Sequence, residues 1–333
     1  YARLASLLEP HQLAIANMAS LPHLSIAGAI STATHGSGTT NGNLATAVLS
    51  LKIMTSAGEL RHVQRSDTQF SAAVVALGAM GAIVAIELAV EPAFDVEQAV
   101  HNRLSWSRLH PSLDEVFDAA YSVSVFTDWR DHVQLWTKRR VDQATLDHAT
   151  LHDGVQASQP EHPVPGADAS SCTNQQEPGL WSHRLPHFRS DEVPSVGAEV
   201  QSEFFVERAL MGQAIERLRS IGDALEPVIM VSEIRTIGAD NIWLSPQYQR
   251  DCAAFHFTWH HDVVAAHAAA DLVTDTLAPL RPIPHWGKVF DPRRFDFDQL
   301  YPNLRSALAC FQEWDPTSTF TNAWMRNTIS GSH

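Results

Sequence analysis

Apolar positions recur along the chain with two periods, and the switches between them mark out its elements. In the opening YARLASLLEPHQL, Leu4, Leu7 and Leu8 share a helical face, which predicts a short amphipathic helix within 1–13. Residues 48–55 read as a strand, 56–59 (SAGE) as a turn, and 60–64 as the strand returning in a hairpin. A helix is expected over 68–77, ahead of Gly78 and Gly81. The unbroken apolar run AIVAIELAV at 82–90 then predicts a buried strand. Pro92 marks the edge of this first unit. Beyond it, an amphipathic helix is expected over 207–225, with Leu210, Ile215, Leu218 and Ile221 on one face. Strands follow over 227–236 and 253–259, then an alanine-rich helix over 262–280. A helix over 304–311 precedes a returning tail, FTNAWMRN. No internal repeat is found.

Two stretches break both periods. Residues 25–43, SIAGAISTATHGSGTTNGN, are too polar and glycine-rich for a core element. Gly28, Gly36, Gly38 and Gly42 let the backbone approach a ligand, and Ser25, Thr32, Thr34 and Ser37 add hydroxyls. Successive N–H groups there can form an anion nest suited to a diphosphate. A flexible surface loop fits the composition equally well. The glycine spacing matches neither a dinucleotide fingerprint after a strand nor a nucleotide-triphosphate loop ending in Gly-Lys. The second stretch, 150–180, contains Pro160, Pro163, Pro165 and Pro178, and reads as a long surface excursion that could cover a site.

Candidate chemistry lies on the two later strands. Glu233 and Arg235 stand two apart, as do His256 and Thr258, so each pair shares one face of a sheet. If the strands are neighbours, that face offers carboxylate, guanidinium, imidazole and hydroxyl together, a set able to hold several hydroxyl groups directionally. An ordinary solvated face with one Glu–Arg pair satisfies the same pattern. Ile234, Phe255, Phe257 and Trp259 supply the apolar face. The sequence His285-Trp286-Gly287-Lys288 follows a proline-rich RPIP. A lysine there is either a surface charge or, beside Arg235 in a closed pocket, a group of reduced proton affinity that helps remove a hydroxyl proton.

Composition narrows the classes. The chain has 333 residues, 44% of them hydrophobic and 18% charged, enough for two domains with real cores. A formal net charge of −14 disfavours a nucleic-acid partner, and no run of about 18 apolar residues suggests a membrane span. Three widely spaced cysteines give neither a disulfide framework nor a zinc knuckle, which points to a reducing compartment. His256, His260 and His261 lack an acidic ligand at helical spacing, so no metal site is expected. A serine-hydrolase elbow, G-x-S-x-G, is absent.

Several segments taken together carry a specific resemblance: NMASLPHLSIAGAISTATHGSG, AAYSVSVFTDWR, RLPHFR, VSEIRTIGADNIWLSP, AAFHFTW, PHWGKVF and FTNAWMR. In this order they resemble the bacterial alditol oxidases, within the vanillyl-alcohol-oxidase and aldonolactone-oxidase flavoproteins. The resemblance runs from Tyr1 to Arg326. It implies an α+β fold: an FAD-binding domain of the VAO/PCMH type, incomplete at its N-terminus, and a cap domain built on a large antiparallel sheet flanked by helices. The implied boundaries are 1–92 for the FAD-binding part, 93–284 for the substrate cap, and 285–333 for a segment returning to the FAD domain.

Carried over by position, Ser25, Gly28, Thr32, Ala33, Thr34 and His35 would hold the FAD diphosphate and ribityl region, with Ile83 and His285 also against the cofactor. Ala33 stands where close relatives often have glycine. Ser20, Glu233, Arg235, Thr258 and Lys288 would line the polyol site, with Arg235 and Lys288 at the reacting hydroxyl. Ala19 would bear on oxygen access. The implied reaction removes a hydride from C1 of a polyol such as xylitol or sorbitol to the flavin and returns H2O2 from O2. The implied partners are a polyol and O2, for a cytoplasmic monomer without nucleic acid or membrane.

The family's covalent flavin histidine is expected upstream of Tyr1, in a G-x-x-H-S motif that does not recur in the chain. A chain beginning at Tyr1 is therefore expected to hold FAD weakly and noncovalently, and to expose apolar sheet surface. The alternatives are an aldonolactone oxidase or dehydrogenase of the same family, and an FAD-free fragment acting as a carbohydrate-binding module.

Overall fold

The computed structural model describes residues 1–130, 132–143, 152–173, 177–192 and 199–330. Helix α1, Ala2–Leu8, turns its Ala5 inward. Helix α2, Ile26–Ser31, then occupies the stretch read above as loop. Ser25 caps it, its side-chain oxygen accepting from the Gly28 N–H at 3.1 Å. Ala29 and Ile30 are buried on its inner face. The capping serine and the small apolar residues behind it outweigh the glycine here.

Strands β1 (Val48–Met54), β2 (Leu60–Gln64) and β3 (Ala82–Leu88) form a small antiparallel sheet in the order β2-β1-β3. The hairpin is as expected, but two neighbours are not. The helix over 68–77 contracts to Phe70–Ala73 and runs on into turns, and Leu77 and Gly78, both at positive φ (54° and 83°), bar it from continuing past Ala76. Strand β3 is apolar but peripheral, not buried. It is the outer strand, pairing only with β1, and Val84 is 55% exposed.

The larger sheet has nine strands among the described residues, all antiparallel. Its long members are β4 (Asp95–Asn102), β5 (Ser122–Thr127), β6 (Val133–Arg140), β7 (Val200–Glu207), β8 (Ile229–Ile237) and β9 (Cys252–Trp259). They run in the order β4-β6-β5-β8-β9-β7, with Gly179–Leu180 and Val155–Gln156 on β4 and Ile283–Pro284 on β7. Helix α3, Met211–Arg219, is shorter than the 207–225 pattern, since a 3-10 turn over Arg208–Leu210 precedes it and a break at Ile221 follows. Helix α4, Val263–Leu277, is capped by Asp262. With the 3-10 turn that follows it, the stretch Val263–Leu280 reaches a mean hydropathy of 1.2, apolar enough by length and composition to cross a membrane, although His267, Asp271 and Asp275 keep it from being an unbroken apolar run. Here Ala266, Ala270, Val273 and Leu277 face the core instead.

The sheet's two faces divide the labour. Phe204, Ile234, Phe255, Phe257 and Trp259 join the α3 and α4 stripes in one apolar cluster. Each such side chain contributes on the order of 1.5–3 kcal/mol by leaving water. The other face is polar yet equally buried, because segments 17–43 and 181–192 lie over it. Gly38 at φ 135° carries the first of these segments against the end of β8, its N–H donating to the Thr236 carbonyl at 2.9 Å. Helix α5, Leu304–Trp314, returns to the small-sheet side, where Trp314 Nε1 donates to Gln69 Oε1 at 2.9 Å.

Candidate active site

Register builds the site. In the ladder β8-β9-β7, Glu233 pairs with His256 and His256 with Glu203, so three polar side chains form one row across the sheet. Thr258 lies between Val231 and Gln201 in the next row on that face. Arg235 lies two residues along from Glu233.

Glu203, which the sequence reading missed, is the hub. Its Oε1 accepts from Arg235 Nη2 at 2.6 Å and lies 3.1 Å from His35 Nε2, while Oε2 is 3.2 Å from Lys288 Nζ. Lys288 also donates to Gln201 Oε1 at 3.2 Å and to His256 Nδ1 at 2.6 Å. His256 Nε2 lies 3.2 Å from Thr258 Oγ1. On the other side, Arg235 Nη1 donates to Ser20 Oγ at 3.2 Å, and Arg235 Nε is 3.5 Å from Glu233 Oε2. Among the described residues Arg235 Nε has no hydrogen-bond partner.

These groups are buried, so their charges act at low dielectric. Burial alone pushes Glu203 up, but Lys288, Arg235 and His35 outweigh it and hold its carboxyl well below the usual range. Glu233 is likewise held low, by Arg235 and His187 against burial. Burial lowers Lys288, opposed by Glu203 and reinforced by Arg235. Burial, aided by the Lys288 charge, lowers His256 to about 4, and burial holds His285 well below its ordinary value. Both rings are neutral near pH 7.

A cavity of about 730 Å³ opens over this cluster, a size typical of cofactor and ligand pockets. Its wall brings together Ser20, Glu233, Arg235, Thr258 and Lys288 with Ser25, Gly28, Thr32, Thr34, His35 and His285, and Ala19 beside Ser20. Two expected cofactor residues lie elsewhere. Ala33 is fully buried in the main core at φ 52°, and Ile83 sits on β3, away from the cavity. Residues 162–171 of the proline-rich excursion contribute His162, Pro163, Val164 and Asp168 to the cavity wall. Its residues 150, 151 and 174–176 lie outside the described set.

The metal reading also shifts. His260 and His261 are exposed, whereas His35, Glu203 and His285 bring one ligand atom each within 4.8 Å of one another. Both Glu203 oxygens already face cations, so this grouping is an ion-paired network. The wall along Ser25, Gly28 and Ala29 is made of small side chains, and a Cβ at Gly28 would lie 2.8 Å from Ser25 Oγ. A slender anionic group would fit along this wall, with His35 and His285 also lining the cavity.

Such a pocket, between a glycine- and serine-lined wall and a charged antiparallel sheet, has room for a cofactor and a substrate side by side, and the matches below make the chain an FAD-binding oxidoreductase. Residues 1–64 match the FAD-binding-domain family, and residues 199–328 match the D-arabinono-1,4-lactone oxidase family. The chain is 41% identical to the alditol oxidase of a Streptomyces species over 99% of its length and 79% of that protein's. It is 25% identical to the L-gulono-1,4-lactone dehydrogenase of Mycobacterium tuberculosis, over 97% and 78%. Among solved structures it superposes on cholesterol oxidase from B. sterolicum with a TM-score of 0.74 at 13% identity, covering 97% of this chain and 78% of that one. A VAO-type flavoprotein from Myceliophthora thermophila gives 0.65 at 12% identity, covering 95% and 63%. The α+β, VAO-type fold expected from the motifs is the fold observed. The chain belongs to the alditol oxidase family of FAD-binding oxidoreductases.

Proposed function

We propose that this protein oxidises the terminal primary hydroxyl of an acyclic polyol, such as xylitol or sorbitol, to the aldose, with O2 reduced to H2O2. The carrying observation is the Glu203 carboxylate held between Arg235 and Lys288 in the wall of a cavity shared with Ser25, Thr34, His35 and His285. Bound FAD supplies the hydride acceptor and the route to O2.

The chain's own residues orient the substrate and manage its proton. Glu233 accepts from a substrate hydroxyl, and Ser20 and Thr258 donate to others. The Arg235 guanidinium, in the cavity wall beside Ser20, stabilises negative charge developing on the C1 oxygen. Lys288 Nζ, its proton affinity lowered, is the atom that takes the hydroxyl proton in its free-amine form. His35 and His285 lie towards the cofactor, and the Ala19 methyl stands at the wall where oxygen would approach.

In this reading residues 1–92 and the tail 285–333 serve the cofactor, and 93–284 supply the substrate face. A covalent flavin link would use a histidine outside residues 1–333. The protein acts as a cytoplasmic monomer whose thiols Cys172, Cys252 and Cys310 stay free.

A lactone substrate is the second reading, favoured by the lactone-oxidase match over 199–328. A panel of xylitol, sorbitol and gulonolactone, with peroxide and sugar products quantified, separates the two. Polyol turnover with aldose formed supports the first. Turnover of the lactone alone overturns it.

A further inference from the structure

Lys138, on β6, is 1% exposed. Its Nζ donates to the carbonyl oxygens of Leu185 (2.5 Å) and Pro186 (3.0 Å) and lies 3.0 Å from Nδ1 of His187. Burial lowers Lys138 to about 7, opposed by the Glu233 charge, and its nitrogen meets three acceptors there. The ionised Glu233 carboxylate can only accept a hydrogen bond, which leaves His187 Nδ1 to accept from Lys138 Nζ. His187 therefore bears its hydrogen on Nε2, which faces Glu233 Oε1 at 2.6 Å. Burial, followed by the Lys138 charge, lowers His187 to about 4, so the ring stays neutral near pH 7.

The ring cannot easily turn away. Phe126 and Trp136 meet it edge-on, with centroids at 5.4 and 5.2 Å. The backbone N–H groups of His187 and Phe188 both donate to the Ser20 carbonyl, at 3.0 and 3.3 Å. One short segment thus touches two proposed substrate residues, Glu233 by side chain and Ser20 by backbone.

On the far side of the site the same device appears again. Lys288 Nζ lies 2.6 Å from His256 Nδ1, and His256 Nε2 lies 3.2 Å from Thr258 Oγ1. In each case a lysine Nζ faces Nδ1 of an imidazole whose Nε2 meets a group lining the cavity. With Nε2–H donating to it, Thr258 keeps its own hydrogen for an incoming oxygen. With Oε1 committed to His187, Glu233 keeps Oε2 as an acceptor.

We propose that Lys138 and His187 are a positioning pair that holds Glu233 as an ionised acceptor with Oε2 turned to a substrate hydroxyl. The proposal rests on the polyol reading above and adds that hydroxyl recognition is polarised, accepting at Glu233 and donating at Thr258.

The test uses the purified protein with His187→Leu, His187→Gln and Lys138→Met, each checked for native melting. Xylitol affinity is read by calorimetry, and the His187 tautomer by 15N NMR of labelled histidine. Losing a hydrogen bond to a charged group should raise the xylitol Kd about 10- to 100-fold in His187→Leu. In His187→Gln, whose amide can still donate to Glu233, affinity stays near wild type. The Nε2–H tautomer dominates in the wild type and gives way to a mixture in Lys138→Met. The pair is refuted if a natively folded His187→Leu binds like wild type, if His187→Gln is as weak as His187→Leu, or if Lys138→Met leaves the tautomer unchanged. A wild type that binds no polyol overturns the functional reading, and the tautomer measurement then decides the pair alone.

Discussion

Glu203 Oε1 accepts a hydrogen bond from Arg235 Nη2 at 2.6 Å, and its other oxygen lies 3.2 Å from Lys288 Nζ. A single buried carboxylate thus sets the spacing of the two cations assigned to the reacting hydroxyl. Removing one partner of a buried ion pair costs about 3–5 kcal/mol, because the remaining charge is left unmatched. In Glu203→Gln, Arg235 and Lys288 face each other without it. This variant is expected to melt several degrees below wild type and to lose roughly 100-fold or more in kcat/KM for a polyol. Differential scanning calorimetry and steady-state kinetics on the same preparation check both effects.

Lys288 predicts the pH dependence. Burial, opposed by Glu203 and reinforced by Arg235, lowers its proton affinity. The free amine is the proton-accepting form, so kcat/KM should rise with pH as Lys288 deprotonates. The midpoint should fall below the ordinary lysine value of about 10.4. Lys288→Met should abolish that limb, not shift it. A pH–rate profile of both proteins reads the outcome, and an identical limb in the variant would assign the ionisation to another group.

Gly36 predicts a backbone effect on the site. A Cβ there would lie 2.1 Å from Asn17 Oδ1 and 2.3 Å from the Met18 carbonyl, so the segment leading to Ala19 and Ser20 would have to move. Gly36→Ala is expected to cost about 3 kcal/mol or more by overpacking and to weaken polyol binding. Gly78→Ala is the control, with a φ of 83° and nothing within 4 Å of its Cβ. It should cost about 1–2 kcal/mol by strain alone and leave binding intact. Urea denaturation and xylitol titration of the two variants separate strain from displacement.

What the sequence made legible followed from period. Glu233, Arg235, His256 and Thr258 were placed on one face by two-residue spacing, and β8 and β9 do pair, with Glu233 opposite His256. Glu203 escaped because its alternation, Gln201-Glu203-Phe205, mixes polar with apolar. Its partner strand lies about fifty residues on, and such pairing leaves no local trace. Lys138 and His187 escaped for a related reason. A lysine in a strand reads as exposed until tertiary structure brings carbonyls from residues 185 and 186 around it. The α2 helix has a local signal, Ser25 as a cap ahead of IAGAIS, which the glycine content of the stretch masks. Strand β3 shows the converse, an apolar run whose composition predicts burial but which lies at the edge of its sheet.

Anaerobic mixing of the FAD-loaded protein with xylitol is the most direct test of the chemistry assigned to Arg235 and Lys288. Flavin absorbance should bleach on mixing and return with O2, and in Arg235→Met the bleaching should slow by about 100-fold or more. Bleaching at the wild-type rate in that variant, or none with any polyol in the wild type, would contradict it.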